Sequence, residues 1–241
     1  MTARSRRRSR HPQRQPRGLA RWLGPVPIWL ALGFAAATVV VVAVAAANTM
    51  SGARDLAAST PGASPNDAPL LRYDVGQPGL GAEAPDFALS ASAASTFRLS
   101  EERGKNVLLY FHEGLMCAPC WRQIDDIEAD VAKFRQVGVD EIAAISIDPA
   151  DAQQQRAQLR GISFPVLADA DLAVSRLYDA LSYGMMGGTR PGHTFILVGP
   201  DGTIRWRADY GGPPDFTMYV PNATVLAELG RAMAGTSQVT R

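Results

Sequence analysis

Cysteine is almost absent from this chain: there are two, Cys117 and Cys120, in 241 residues, with only three histidines. That scarcity argues against a structural zinc centre. One Cys-x-x-Cys supplies half of the four ligands such a centre needs, and beyond the N-terminal tail only His112 and His193 remain to complete it. No internal repeat is present. Acidic residues are missing altogether from residues 1 to 24, where eight arginines lie at positions 4, 6, 7, 8, 10, 14, 17 and 21. The overall charge of +1 therefore hides an asymmetry, because the rest of the chain holds 16 basic and 23 acidic residues and is net negative.

Long apolar runs are also scarce. The single example is Val26 to Ala47, 22 residues without a charge, and about 20 such residues span a bilayer as a helix. Arginines crowd its N-terminal side while Arg54 stands alone soon after it, a bias that places residues 1–25 in the cytoplasm and the remainder outside. The basic tail is thus read as a topology signal rather than a nucleic-acid patch. A cleaved signal peptide is the alternative, with small residues at Ala43-Val44-Ala45, but the run exceeds the usual length of about 7–15. Residues 48–79, rich in Ala, Ser, Gly and Pro, read as a flexible tether. Residues 80–236 are left for one domain with a single good core.

Within that domain, Asn106–Phe111, Glu141–Ile147 and His193–Val198 are short, apolar and bounded by turn signals, as strands buried on both faces should be. Thr203–Asp209 alternates in polarity after Gly199-Pro200-Asp201-Gly202 and is expected to pair with the preceding strand as an antiparallel edge. Ile124, Ile127, Val131 and Phe134 draw one stripe along a helix over 118–136, stopped by Gly138. Weaker helical signals cover 149–160, 171–180 and 223–233, with Asp148, Asp171 and Asn222 available to start them. Residues 183–192 hold too many glycines for either element and read as a loop. Met185, Met186 and Met218 are expected as flexible apolar filling.

The cysteines stand where the first strand ends and the amphipathic helix begins. Free N–H groups and the helix dipole favour an anion there, so a thiol ionises more readily than its free pKa of about 8.5. Cys117, farther out, is the expected nucleophile, and Cys120 is placed to resolve a mixed disulfide. Pro119 fits the first helical turn, where its missing N–H is no loss. As a structural staple the pair would achieve little, because a loop closed over two residues removes little unfolded-state entropy. Glu113 reads first as an exposed strand-end carboxylate, with an acid-base role for Cys120 as the alternative.

Gly81-Ala-Glu-Ala-Pro-Asp-Phe-Ala-Leu89 resembles the opening of the redoxins, which unite peroxiredoxins of the alkyl hydroperoxide reductase and thiol-specific antioxidant type with membrane-anchored thioredoxin-like proteins. The similarity continues through Gly104–Phe111, Cys117-Ala-Pro-Cys120, Phe195–Val198 and Pro200-Asp-Gly-Thr-Ile204. It implies an α/β thioredoxin-like fold, a central mixed sheet with helices on both faces, here preceded by one transmembrane helix. It further implies a cis-proline facing the cysteines, for which Pro191 is the candidate with Arg190 beside it as a substrate-binding residue. Two departures stand out. Met116 replaces the Trp that usually precedes the first cysteine of thioredoxins. The peroxiredoxin pattern Pro-x-x-x-Thr-x-x-Cys fits neither cysteine, giving Tyr110 and Gly114 before Cys117, and Glu113 and Cys117 before Cys120.

The expected protein is a membrane-anchored, extracytoplasmic thiol-disulfide oxidoreductase, using no cofactor or metal and not binding nucleic acid. Its partners would be exported protein thiols or disulfides and a membrane electron donor or acceptor. A peroxidase acting on hydroperoxides through the same pair is the alternative. A copper chaperone, with His193 as a distal ligand, is a third reading. The topology has a direct check: alkaline phosphatase, which matures only outside the cytoplasm, is expected to be active when fused after Arg241 and inactive when fused after Arg21. The reverse pattern would place the domain inside.

Overall fold

The computed structural model describes residues 71–92 and 95–235. The expected tail and transmembrane helix lie outside these residues, and no described helix is long and apolar enough to cross a membrane. Seven strands form one mixed sheet: β1 (Ala88–Ser92), β2 (Ser95–Arg98), β3 (Val107–Phe111), β4 (Glu141–Ser146), β5 (Val166–Ala168), β6 (Thr194–Val198) and β7 (Ile204–Asp209). Their order is β2-β1-β5-β4-β3-β6-β7. β3, β4 and β5 run parallel, whereas β6 is antiparallel to β3, and β7 to β6. The hairpin expected at 203–209 is therefore present as an edge. β1, β2 and β5 carry no sequence signal of their own, being short and partly built of Ala and Ser.

All five residues of β3 are buried. Leu108 and Tyr110 join a core on one face with Ile142, Ala144, Phe195 and Leu197. Val107, Leu109 and Phe111 join the other with Ala143, Ile145, Ile196 and Val198. This alternation is the two-residue period of a pleated strand with both faces covered. The first core is closed by helices α1 (Ala118–Ala129), α2 (Val131–Gln136), α3 (Ala150–Arg160) and α5 (Asn222–Met233), through residues such as Ile124, Phe134, Ala157 and Leu229. The second is closed by Phe87, Phe97 and Leu99 together with Val174 of α4 (Ala173–Leu177).

The helix expected over 118–136 is two helices. At Asp130 the backbone leaves helical geometry, with φ −108° and ψ 13°. Its side chain is drawn to the Asn222 amide at 3.1 Å and the Lys133 ammonium at 2.7 Å. Ile124, Ile127 and Phe134 nonetheless stay fully buried on one stripe. Gly138 ends α2 as expected: its φ is +97°, and Val139 N–H reaches the Phe134 carbonyl at 3.0 Å while Gly138 N–H reaches that of Arg135. This double bond pattern needs a left-handed residue.

Two expected helix starters do other work. No side chain caps α3 or α5. Asp148 accepts from Leu115 N–H at 2.6 Å, and Asn222 binds the Asp126 carbonyl at 2.6 Å and accepts from Gln123 at 3.1 Å. Asp171 does accept from Ala173 N–H at 3.0 Å as α4 begins.

The end of the expected tether is docked on the domain. Tyr73 packs edge-on to Tyr210 with centroids 5.3 Å apart, and Asp74 and Asp209 exchange backbone hydrogen bonds. Asp209 is also half of a fully buried pair: Arg207 Nε reaches its Oδ2 at 2.7 Å and Nη2 its Oδ1 at 2.9 Å. Gly76 N–H and Thr194 Oγ1 complete its bonding at 2.8 and 2.7 Å. Truncating the arginine would strand a buried carboxylate. Arg207→Leu is expected to lower unfolding stability by about 3–5 kcal/mol, read from urea titrations, and the double variant Arg207→Leu, Asp209→Asn, which keeps an acceptor for Gly76 N–H or Thr194 Oγ1, to recover part of that loss. An unchanged midpoint in the single variant would count against the pair.

Candidate active site

Three chain segments meet at one end of the sheet for a topological reason. β3 and β4 are parallel, so the chain after each emerges at the same end, and β6, running the other way, enters there. Ligands of open α/β sheets are met beyond the carboxyl ends of the strands. Here that end carries His112 to Cys117 after β3, Asp148 after β4, and Arg190 to His193 before β6.

The cysteine loop is held by its own backbone. Leu115 N–H donates to Asp148 Oδ2, and Arg190 Nη1 donates to the Glu113 carbonyl at 2.7 Å and lies 3.5 Å from Asp148 Oδ2. The Glu113 carboxylate accepts from Met185 N–H at 2.7 Å. Gly114 turns the loop at φ +100°, and a Cβ there would lie 1.8 Å from Asp148 Oδ2. A side chain at 114 would thus displace the carboxylate that fixes Leu115.

Cys117 and Cys120 form a disulfide, with Cα atoms 5.3 Å apart. Cys117 is the N-cap of α1, and its Sγ accepts from Cys120 N–H at 3.2 Å. Sulfur thus occupies the position where a Ser or Asp oxygen usually caps a helix. Pro119 lies in the first turn, as expected. The two cysteines differ in access: Cys117 is 8% exposed and Cys120 is 0% exposed. Met116 beside them is 86% exposed.

The structure brings Arg190 and Glu113 to the loop, but Glu113 is buried rather than an open strand-end carboxylate. Pro191 is buried, and its expected cis geometry is not found: among the described residues the cis peptide bonds are Gln77–Pro78 and Pro213–Pro214. The trans form is the intrinsic preference of X-Pro bonds by about 0.5–1 kcal/mol. The chain after Pro191 is fixed by Gly192 N–H on the Ala180 carbonyl at 2.8 Å. Met185 and Met186 are about half exposed on the 184–193 loop rather than filling the core, whereas Met218 is partly buried. Among the described residues no three His, Cys, Asp or Glu side chains are grouped to hold a metal.

Sequence reasoning missed Asp148 as a site residue, reading it as a helix starter because Pro149 follows. Its place at the end of a buried parallel strand was the available signal. It also gave no role to the aromatic cluster under the loop. Tyr110 stacks on His112 at 5.3 Å and meets His193 edge-on at 4.9 Å, with its hydroxyl 2.9 Å from His193 Nδ1. Both imidazoles are fully buried. Burial pushes the pKa of His112 down to about 3, and burial with the neighbouring His112 does the same to His193.

Folded-state pKa values below the free value near 6.5 mean that the unfolded chain binds more protons between about pH 6.5 and 3. The two histidines therefore favour folding fully above pH 6.5, and their contribution is lost as pH falls through that window. His193→Asn is expected to flatten the fall of unfolding free energy between pH 6 and 4 by about 1.4 kcal/mol per pH unit. Urea titrations at several pH values would read this, and an unchanged slope would contradict it.

A family model described as AhpC/TSA family matches residues 80–207, from before β1 into β7. The thiol-disulfide oxidoreductase ResA of Halalkalibacterium halodurans is 32% identical over 124 residues, 52% of this chain and 65% of that protein. ResA of Bacillus subtilis is 30% identical over 125 residues, 52% of this chain and 64% of that protein. The chain thus spans just under two thirds of either relative. The putative peroxiredoxin Rv2521 of Mycobacterium tuberculosis is 30% identical over 129 residues, 52% of this chain and 80% of its own length. Among solved structures, peroxidoxin BcpB of M. tuberculosis aligns with TM-score 0.53 and 21% identity, covering 66% of this chain and 98% of that one. That likeness shows the thioredoxin-like α/β fold expected from the sequence. With its family match covering more than half its length, the chain belongs to the AhpC/TSA family.

Proposed function

We propose that this protein is a thiol-disulfide oxidoreductase, tethered by residues 26–47 to the outer side of the cytoplasmic membrane, with Cys117 and Cys120 as its redox pair. The observation that carries the reading is the Cys117 sulfur at the N-cap of α1, bonded to Cys120 N–H. A thiolate there is favoured by the helix N-terminus. The names of the ResA relatives support the same chemistry. The anchor and the outward orientation rest on the apolar run and the arginine asymmetry.

In the reducing direction the Cys117 thiolate attacks one sulfur of a partner disulfide. A Cys117–partner bond forms, the partner's own S–S bond breaks, and its second sulfur leaves as a thiolate. Cys120 then attacks the Cys117 sulfur, releasing the partner as a dithiol and leaving the enzyme oxidised, as in the structure. Renewal needs two electrons from a membrane donor, since the exported environment is oxidising. Arg190 flanks the loop as a partner-contacting residue, the buried Pro191 beside it fixes the backbone there, and Glu113 is left with a mainly structural part by its bond to Met185 N–H.

A peroxidase is the second reading, favoured by the peroxiredoxin relatives. Against it stands the lack of the Pro and Thr that would orient a peroxide before either cysteine. Both readings have a direct test. Cys120→Ser is expected to hold Cys117 as a mixed disulfide with an exported protein, separable on non-reducing gels and identified by mass spectrometry. Reduced protein mixed with hydrogen peroxide in stopped flow is expected to react no faster than a free thiol. Fast sulfenic acid formation at Cys120, with no trapped partner, would reverse the choice.

A further inference from the structure

The pairing of β3 with β6 runs from Val107 opposite Val198 to Phe111 opposite Thr194. Continued by one residue, the same register sets His112 beside His193. In strands, alternate residues share a face. Both histidines therefore lie on the face of Tyr110 and Phe195, the face that α1 covers. On α1, Cys120 shares its stripe with Ile124 and Ile127, four and seven residues on, and all three are fully buried. Trp121, the next residue, meets the His112 ring edge-on at 6.2 Å. The two imidazoles thus lie beneath the first turn of α1, on the side to which Cys120 turns.

The hydrogen bonds fix the tautomers. Gly114 N–H donates to His112 Nδ1 at 3.1 Å, so the ring proton of a neutral His112 is on Nε2. The buried Tyr110 hydroxyl, held protonated by a pKa pushed well above its usual value, has its one hydrogen-bond contact at His193 Nδ1. Donating there satisfies the hydroxyl and places the proton of His193 on Nε2 as well. Both Nε2 atoms are buried without a partner. Two such donors at one place are costly, at about 1–3 kcal/mol each, and together they suit an acceptor that is not always charged.

We propose that His112 and His193 act as a positioning pair whose Nε2–H groups stabilise the Cys120 thiolate when the disulfide opens. This rests on the thiol-exchange reading above. When a partner thiolate attacks Cys117 Sγ, one S–S bond forms, the Cys117–Cys120 bond breaks, and its electron pair leaves on Cys120. The imidazoles donate hydrogen bonds to that sulfur and keep their protons. A better-stabilised leaving thiolate departs faster. The charged groups at this end do not replace them: Glu113, Asp148 and Arg190 are engaged with Met185 N–H, Leu115 N–H and the Glu113 carbonyl.

The test uses the full chain in detergent with Cys117→Ser, so that Cys120 is the single thiol, and follows thiolate absorbance near 240 nm against pH. His112→Leu and His193→Leu are each expected to raise the Cys120 pKa by about one unit. His112→Gln, which keeps a donor at similar reach, is expected to remain close to the parent. Tyr110→Phe frees the His193 tautomer with little change in packing and is expected to raise the pKa as well, which keeps a readable variant should a leucine variant fail to fold. Leucine and phenylalanine variants titrating with the parent, or glutamine behaving like leucine, would overturn the proposal. No partner enters this measurement, so its failure is distinct from a failure to trap a mixed disulfide.

Discussion

Everything at the reactive end follows from the burial of β3 on both faces. Five consecutive residues, Val107 to Phe111, are removed from water, so each face must be covered by a separate layer. One layer begins with α1, which must start as soon as the strand ends. The connection is short, and it brings the chain from a fully buried strand to the N-terminus of a helix within six residues. A helix start has N–H groups with no partner inside the helix. The strand therefore delivers, at one point, a turn that must be held, a helix end that needs an acceptor, and the only two cysteines of the chain.

These demands are met by a few groups with double roles. Asp148 and Arg190 hold the turn through Leu115 N–H and the Glu113 carbonyl. They come from segments that the parallel and antiparallel pairing of β4 and β6 brings to the same end. Cys117 Sγ accepts the Cys120 N–H, so the atom that caps the helix is also the atom on which negative charge is favoured. Structure and reactivity here share one interaction, and a serine at 117 would keep the cap while losing the chemistry.

The three inner strands were legible because each is a short apolar run between turn signals, and burial on both faces leaves that mark. The hairpin to β7 was legible from polarity alternation after Pro200-Asp201-Gly202. The break at Asp130 was not, because it depends on Asn222, 92 residues away along the chain. β5 has three residues and takes its identity from β4 beside it, a tertiary effect with no local trace. Asp148 was misread since Asp-Pro marks helix starts in isolation, whereas the nearby Leu115 N–H competes for the same carboxylate. The cis geometry of Pro191 was borrowed from the family resemblance, and the trans bond found here follows the intrinsic preference. The cysteine pair itself needed only its spacing and its place between a buried strand and an amphipathic helix.

The unequal exposure of the two cysteines bears on which reaction the site suits. If the peroxiredoxin pattern is laid on this chain, Cys120 takes the peroxidatic place, because Thr-x-x-Cys and Cys-x-x-Cys overlay. That sulfur is fully buried here, under a turn whose backbone is pinned at three points, and no Thr stands where a peroxide would be oriented. Cys117 keeps a small exposure of 8%, beside the exposed Met116, an unbranched thioether that adapts to varied apolar surfaces. A protein disulfide, too large to enter the fold, can reach only Cys117, and Cys120 then needs to meet nothing but its neighbour. The division into an outer sulfur that meets the partner and an inner one that releases it is the one that protein thiol exchange requires, and a peroxidase that led with Cys120 would need the first turn of α1 to open before it could act.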